Sequence, residues 1–551
     1  MKHILWVSAL LLLSGQMTFA QQTEYAFRIY FKDKNATSFS LDQPESFLSQ
    51  RAIQRRWKFN IPIDSSDLPV CKSYADSVLS ITSGHWHCQS KWQNTVVIFL
   101  TDTFKIQLLD SLAFFKAAKL IAIYPNGLPK ATRDSSPGTA NKITGFDENY
   151  YAAAWNQISF CNGQYLHQHG QTGTGTFIAV IDAGFYGIDN SFVFDSLLAS
   201  GRLVDRWNFV EDTLVGNQEG GHGTEVLSCI AGNLPNTFVG TAPGASIAIY
   251  TSEDLNSEQP IEEDNWTAAA ERADSLGADM ITTSLGYNTF DAPFPDETFS
   301  HFDGHTTYIA QAANQATTKG ILVVASAGNE GSTSWHNILT PGDADSALTV
   351  GAVNNQNAAA AFSGWGPNAA NMIKPDVVAM GVNNAVVNLA GNIQNSSGTS
   401  VATPIIAGLA ACLMQTDSLA SPADLRALIR SVSDLYTHPD SQKGYGLPDF
   451  AQAFQKLTGI HQEFSSAGQL KFDVYPNPVI QHQVHISFAQ KYSYPLKIRL
   501  CNVAGKAVFD RFENNNSSES YDIHLPSLPP GNYLMTIQRG LLKGHTQLLI
   551  P

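Results

Sequence analysis

Phe177-Ile178-Ala179-Val180-Ile181-Asp182-Ala183-Gly184 is an unbroken apolar run that ends in a carboxylate and a glycine. A strand with one wet face alternates apolar and polar residues. A continuous apolar run of this length reads instead as a strand buried on both faces, the form found in parallel sheets between helical layers. The stretches 246–250, 280–284, 321–326 and 347–353 have the same character, and helical patterns separate them. For residues 145–458 the expectation is therefore α/β, a mainly parallel sheet flanked by helices.

Two further segments in this region carry chemistry. Gly220-Gly221-His222-Gly223-Thr224-Glu225-Val226 sets a histidine among glycines at the start of an apolar helix. Ser397-Gly398-Thr399-Ser400-Val401-Ala402-Thr403-Pro404 sets a serine at the start of a long apolar helix, with proline in the first turn, where it is tolerated. Singly, each has a structural explanation: a strand-end turn, a loop histidine, a helix cap. Together they supply what nucleophilic acyl transfer needs. A serine hydroxyl is a weak nucleophile, a neutral imidazole can take its proton, and a carboxylate fixes the imidazole tautomer and steadies the imidazolium. Glycines beside His222 permit close approach, and a helix start at Ser400 turns backbone N–H groups toward the reacting centre.

The order Asp182, His222, Ser400 and the wording around each residue resemble the subtilase family of serine proteases, over roughly residues 145–458. Gly398-Thr399-Ser400-Val401-Ala402-Thr403-Pro404 is the most specific of the three matches. The resemblance implies a subtilisin-like fold and a secreted serine endopeptidase acting through an acyl-enzyme on Ser400. His222 would be the base and Asp182 its orienting group. It also implies that Asn329, in Ala325-Ser326-Ala327-Gly328-Asn329, helps form the oxyanion hole, and that Ser284, Leu285 and Gly286 form an edge on which an extended peptide pairs. Phe362-Ser363, Gly366-Pro367, Lys374-Pro375-Asp376 and Gly444-Tyr445-Gly446 look like structural landmarks of the family. No organic cofactor is implied. Subtilases often carry structural calcium, but no loop here has a ligand spacing that assigns a metal site. Glu225 stands where the family usually has a second histidine, and Gly364-Trp365 is a less familiar variation.

Other classes are weaker. An α/β-hydrolase esterase would need an apolar strand just before the serine and a catalytic histidine after it. Asn392 to Ser397 is polar, and the later His438 sits beside Pro439 in a polar loop. A catalytically inactive, protease-like surface binder is the other alternative, and an intact triad argues against it. The glycines of 170–175 precede their strand, whereas a phosphate loop needs them after it. His85 and His87 beside Cys88 read as one face of a strand rather than metal ligands, and His167 and His169 as helix or loop surface.

The flanking sequence places this unit in a longer architecture. The 551 residues suggest roughly three to four domains. Residues 1–20, with Lys2 and His3, an apolar run to Leu13 and Thr18-Phe19-Ala20, read as a signal peptide. Export as a soluble chain follows. Residues 21–135 read as an α+β domain of order β-α-β-β-α-β, ferredoxin-like, with a helix marked by Phe47, Leu48, Ala52, Ile53 and Trp57, a strand between 77 and 90, and a second helix over 106–115. In position and size it resembles the subtilase prodomain, an intramolecular inhibitor. Asn126 to Asn141 reads as an exposed linker, with processing between about Asn126 and Gly145.

After a short linker at 459–470, residues 471–551 read as a β-sandwich. Tyr475-Pro476-Asn477-Pro478 and Leu528-Pro529-Pro530-Gly531-Asn532-Tyr533 resemble the C-terminal sorting domain of type IX secretion. That implies the type IX machinery as a partner, transit through the periplasm and outer membrane, and a secreted or surface location. A net charge of −15 lacks the positive field that nucleic-acid binding needs, so nucleic acid is not an expected partner. The family resemblance implies protein or peptide substrates. Six cysteines without C-x-x-C spacing make no disulfide scaffold, although an oxidising compartment would permit one or two bridges.

Overall fold

A computed structural model of the chain describes residues 23–125, 147–214, 220–458, 470–488, 496–502, 506–513, 519–539 and 542–551. The segment read as a signal peptide, the Asn126–Asn141 linker with its processing segment, and residues 459–469 of the linker read at 459–470 lie outside the described residues. At the centre is a seven-stranded sheet. Across it run Val377–Met380, Leu348–Val353, Leu322–Ser326, Met280–Thr283, Phe177–Asp182, Ser246–Thr251 and Leu203–Asn208. Every neighbouring pair is parallel.

The two layers that cover this sheet follow from strand alternation. Ile178 and Val180 face a core shared with Val226, Leu227 and Ile230 of the His222–Ala231 helix and Ile405, Ile406 and Leu409 of the Thr399–Thr416 helix. Phe177, Ala179 and Ile181 face the opposite core, closed by Trp266 and Ala269 of the Ile261–Leu276 helix and Ile309 and Ala313 of the Tyr308–Thr318 helix. The Thr399–Thr416 helix is apolar and long enough to cross a membrane, yet it is buried continuously from Thr399 to Leu413. Its hydrophobicity belongs to the core.

The N-terminal unit is a four-stranded antiparallel sheet in the order His85–Ser90, Thr95–Leu100, Glu24–Phe31, Phe115–Tyr124. This is the ferredoxin-like sheet order, with two differences from expectation. The first crossover holds two helices, Gln50–Lys58 and Lys72–Thr82, so residues 77–82 are helix and the strand begins only at His85. The second crossover is a 3-10 run, Thr103–Ser111, and Phe115 opens the last strand. Val78-Leu79-Ser80-Ile81 is a short apolar run, a length at which helix and strand patterns coincide.

This sheet rests on the Ile261–Leu276 and Tyr308–Thr318 helices. Val97, Phe99 and Ile121 share a core with Ile261 and Ala268. Around it lie buried ions. Arg28 pairs with Asp264 and covers the Tyr308 ring, 3.5 Å from its centroid. Arg55, Arg56 and Lys91 all converge on Asp274, at 2.5, 2.8 and 3.0 Å. Glu271 accepts from Ser90 Oγ and from the backbone N–H groups of Lys91 and Trp92.

The C-terminal unit packs a three-stranded sheet on a four-stranded one around Ile486, Ile498, Leu500, Met535 and Ile537, a small β-sandwich. Its two motif residues act as ties. Asn477 donates to the Gln547 carbonyl and accepts from Leu549 N–H, and the Tyr533 hydroxyl donates to the Pro529 carbonyl at 2.8 Å. Arg499 holds this unit to the end of the Ser400 helix through the Thr416 carbonyl and Asp417.

Candidate active site

Parallel strands end at one edge of a sheet, and loops there bring distant residues together. Asp182 is the last residue of the central strand and is fully buried. Its Oδ1 accepts from the Ala183 N–H at 2.8 Å and lies 2.6 Å from His222 Nδ1. His222 opens its helix after Gly221, with its side chain 38% exposed. Gly223 permits the contact: a Cβ there would meet the Gly184 carbonyl oxygen at 2.6 Å and Asp182 Cβ at 3.0 Å. The Asp182 carboxylate raises the His222 pKa to about 9, against the opposing effect of burial, and Glu225 and Glu253 add smaller effects in the same direction. Glu225 itself accepts from Gln394 Nε2.

Ser400 is the second residue of its helix and is nearly buried. A Cβ on Gly398 would stand 2.8 Å from Ser400 Oγ and 3.6 Å from both Asn329 Nδ2 and Ser400 N. These three polar atoms therefore surround one small space that glycine leaves open. Asn329 follows the Leu322–Ser326 strand and is open to solvent. Its Oδ1 accepts from the Thr399 N–H and hydroxyl, at 2.9 and 3.1 Å, which fixes the amide with Nδ2 on the Ser400 side. Gly364 and Trp365 support the Asn329 loop from behind. Gly364 N–H donates to the Gly328 carbonyl, a Cβ at Gly364 would strike the Ala327 carbonyl oxygen at 2.5 Å, and Ile338 N–H donates to the Trp365 carbonyl.

The Ser284–Gly286 segment runs past the same place. Ser284 Oγ donates to the Ser400 carbonyl at 2.9 Å, and the Leu285 carbonyl accepts from Ser326 Oγ. Leu285 and Gly286 are partly exposed, as an edge that receives a peptide must be. The four residues read as catalytic and the three read as a binding edge thus all lie at the carboxyl ends of the sheet strands or on the helices that begin there.

Other residues resolve plainly. Lys374 Nζ is buried and donates to the Ala347 carbonyl, Thr349 Oγ1 and Asp376, a structural role. His87 is buried on its strand against Asn265 of the neighbouring unit, 2.8 Å from its side-chain oxygen. His167 is not on the surface. It is fully buried between the Tyr151 hydroxyl and the Thr241 carbonyl, where burial lowers its pKa to about 4. All six cysteines are free. Sequence reasoning also missed Tyr287 and Glu253, which hydrogen-bond to each other beside the binding edge. No local motif marks either one.

Comparison with known proteins assigns three regions of the chain to families. Residues 173–446 match the subtilase family, residues 26–136 the peptidase S8 propeptide domain of Bacteroidota, and residues 473–550 a secretion system C-terminal sorting domain. Subtilisin BL of Lederbergia lenta is 30% identical over 278 residues, covering 50% of this chain and 90% of its own. The thermophilic serine proteinase of Bacillus sp. (strain AK1) is 30% identical over 315 residues, covering 54% of this chain and 70% of its own. Subtilisin E of Bacillus subtilis (strain 168) is 32% identical over 282 residues, with coverages of 50% and 65%. The sorting domain marks an exported protein, secreted or attached at the cell surface. The chain belongs to the subtilase family and is a subtilisin-like serine endopeptidase, with a propeptide domain before the protease and a sorting domain after it.

Proposed function

We propose that Asp182, His222 and Ser400 act as a catalytic triad in the hydrolysis of peptide bonds in protein or peptide substrates. Ser400 Oγ adds to the scissile carbonyl carbon as His222 takes its proton. The carbonyl oxygen becomes an oxyanion held by Asn329 Nδ2–H and the Ser400 backbone N–H. As the tetrahedral intermediate collapses, His222 gives the proton to the leaving amine and an acyl-enzyme remains on Ser400. Water then attacks the ester with His222 again as base, releasing the acid and restoring Ser400. The substrate backbone pairs on Ser284, Leu285 and Gly286. No organic cofactor enters this sequence of steps. The observation that carries the reading is the convergence of Ser400 Oγ, Ser400 N and Asn329 Nδ2 on one space, with the Asp182–His222 pair at the same end of the sheet.

The propeptide domain acts as an intramolecular inhibitor until its tail is cut. Its support is the buried contact with the two protease helices. Its last strand ends where Ile123 N–H donates to Gln259 Oε1, on the segment that follows the Ser246–Thr251 strand. The sorting domain hands the chain to the type IX machinery for passage from the periplasm across the outer membrane. The test is to compare a peptide amide with the matching ester on purified enzyme freed of its propeptide domain. Cleavage of both, with release of the propeptide during maturation, is expected. Ester cleavage alone would make the protein an esterase.

Two further results are expected of this chemistry. Asn329→Ala should lower kcat by about 10²- to 10³-fold with little change in KM, since its donor meets charge that develops only in the transition state. The pH profile of kcat/KM should rise with the neutral form of His222. Because Asp182 raises its pKa from 6.5 to about 9, the acid limb should lie on the alkaline side of 6.5. Asp182→Asn should move that limb to lower pH and cut kcat by about 10⁴-fold, through loss of the correct tautomer.

A further inference from the structure

Strand order places the Met280–Thr283 and Ser246–Thr251 strands on either side of the Phe177–Asp182 strand. At about 4.8 Å per strand, the chain segments leaving the two outer strands stand roughly 10 Å apart, with Asp182 between them. One segment is the Ser284–Gly286 binding edge. The other begins with Ser252, whose N–H donates to the Asp182 carbonyl at 3.2 Å, and continues to Glu253.

A side-chain tie closes this gap. Glu253 Oε1 accepts from the Tyr287 hydroxyl at 2.6 Å and from Ser252 Oγ at 2.6 Å. Tyr287 directly follows Gly286, is 1% exposed, and is fixed at its other end by a backbone bond from its N–H to the Thr340 carbonyl. Gly286 has little freedom beside it, since a Cβ there would meet Leu339 Cβ at 2.7 Å. Whatever holds the Tyr287 ring therefore holds the edge.

We infer that Glu253 is a positioning residue: its carboxylate ties the Ser252 segment to Tyr287, so holding the Ser284–Gly286 edge in register with Ser400. This rests on the serine endopeptidase reading of the site. The groups that bear on the pair are Asp182 from the central strand, Glu225 from the His222 helix, and Glu258 and Glu262, whose carboxylates lie within 4.8 Å of that of Glu253. Burial pushes the Glu253 carboxyl up to about 7, with Asp182 adding to the shift, while its two hydrogen bonds and His222 oppose it. Above that pH it is an anion, in the range where His222 loses its proton.

Two substitutions test the tie. Glu253→Gln keeps an oxygen acceptor for Tyr287 and removes the charge. Tyr287→Phe removes the tie and keeps the charge. Each variant is to be purified as the full chain, allowed to process, and followed for kcat and KM on one peptide substrate from pH 5 to 10, with thermal melting as the check of fold. Glu253→Gln should hold KM within about twofold and move the acid limb of kcat/KM down by about half a pH unit. Tyr287→Phe should raise KM about fivefold, with the limb in place. An unmoved KM in Tyr287→Phe would overturn the inference, whatever the limb does in Glu253→Gln. So would an equal loss of kcat in both variants with neither signature. A wild-type chain that processes but hydrolyses no peptide would instead remove the endopeptidase reading beneath it.

Discussion

Ser400→Ala is expected to lower kcat by about a millionfold while leaving the fold and substrate binding nearly intact. Ser400 is nearly buried at the start of a helix that forms the centre of one protease core, so loss of its hydroxyl oxygen leaves the packing of Val401 to Leu413 unchanged. The Ser284 hydroxyl donates to the Ser400 backbone carbonyl, a contact the variant retains. What disappears is the hydroxyl oxygen that the proposed mechanism uses as its nucleophile. Loss of the nucleophile from a Ser-His-Asp constellation costs on this order, and the residual rate reflects the oxyanion donors and binding alone. Single-turnover hydrolysis of a peptide, beside a melting curve, separates the catalytic loss from any loss of stability. A fall of tenfold or less would mean that Ser400 does not carry the reaction.

The second large effect concerns the propeptide domain. Asp274→Ala should weaken its hold on the protease by about 3–5 kcal/mol, or roughly a hundred- to a few thousandfold in affinity. Asp274 is fully buried and receives three cations from the propeptide side, Arg55, Arg56 and Lys91. Arg56 keeps a second carboxylate in Asp67, and Lys91 keeps the Ser275 hydroxyl. Among the described residues, Arg55 keeps carbonyl oxygens, those of Lys319 and Ala278 among them. Burial already lowers its pKa to about 10. The measurement is inhibition of mature protease by the separate propeptide domain, wild type against variant. Unchanged inhibition would mean that the apolar contact of Val97, Phe99 and Ile121 carries the docking without the ions.

The same cluster sets a pH dependence. Burial alone would raise the Asp274 carboxyl, but Lys91, Arg56 and Arg55 outweigh it and hold the pKa well below the usual carboxylate range. A depressed pKa in the docked state means that this contribution is full above the ordinary carboxylate value. It is lost as pH falls through the depressed value. Asp274 therefore supports docking across the neutral range and gives way only in strong acid.

Much of the site was legible in the residues because its chemistry is local. A carboxylate closing an apolar strand, a histidine flanked by glycines and a serine opening an apolar helix each sit within a few residues of the features that position them. The central strands were legible for the same reason. The two edge strands were not. Leu203–Asn208 carries Asp205 and Arg206 on a half-exposed edge, so it lacks the buried apolar run that marked the others. Val377–Met380 is buried, but it directly follows Lys374-Pro375-Asp376, whose charges and proline cut its apolar run short. His167 was misjudged because its burial depends on Tyr151 and Thr241, 16 and 74 residues away. The Glu253–Tyr287 tie spans 34 residues and two strands, so no spacing rule reaches it.

Fluorophosphonate labelling of the purified protein, read by intact and peptide mass beside Ser400→Ala, tests the central claim most directly. The reagent reacts with a serine only where a base and an oxyanion site activate it. The account predicts a single label on the peptide that contains Ser400, present once the propeptide domain is gone and absent in the variant. A folded, fully processed chain that takes no label, or takes it on another serine, would contradict it.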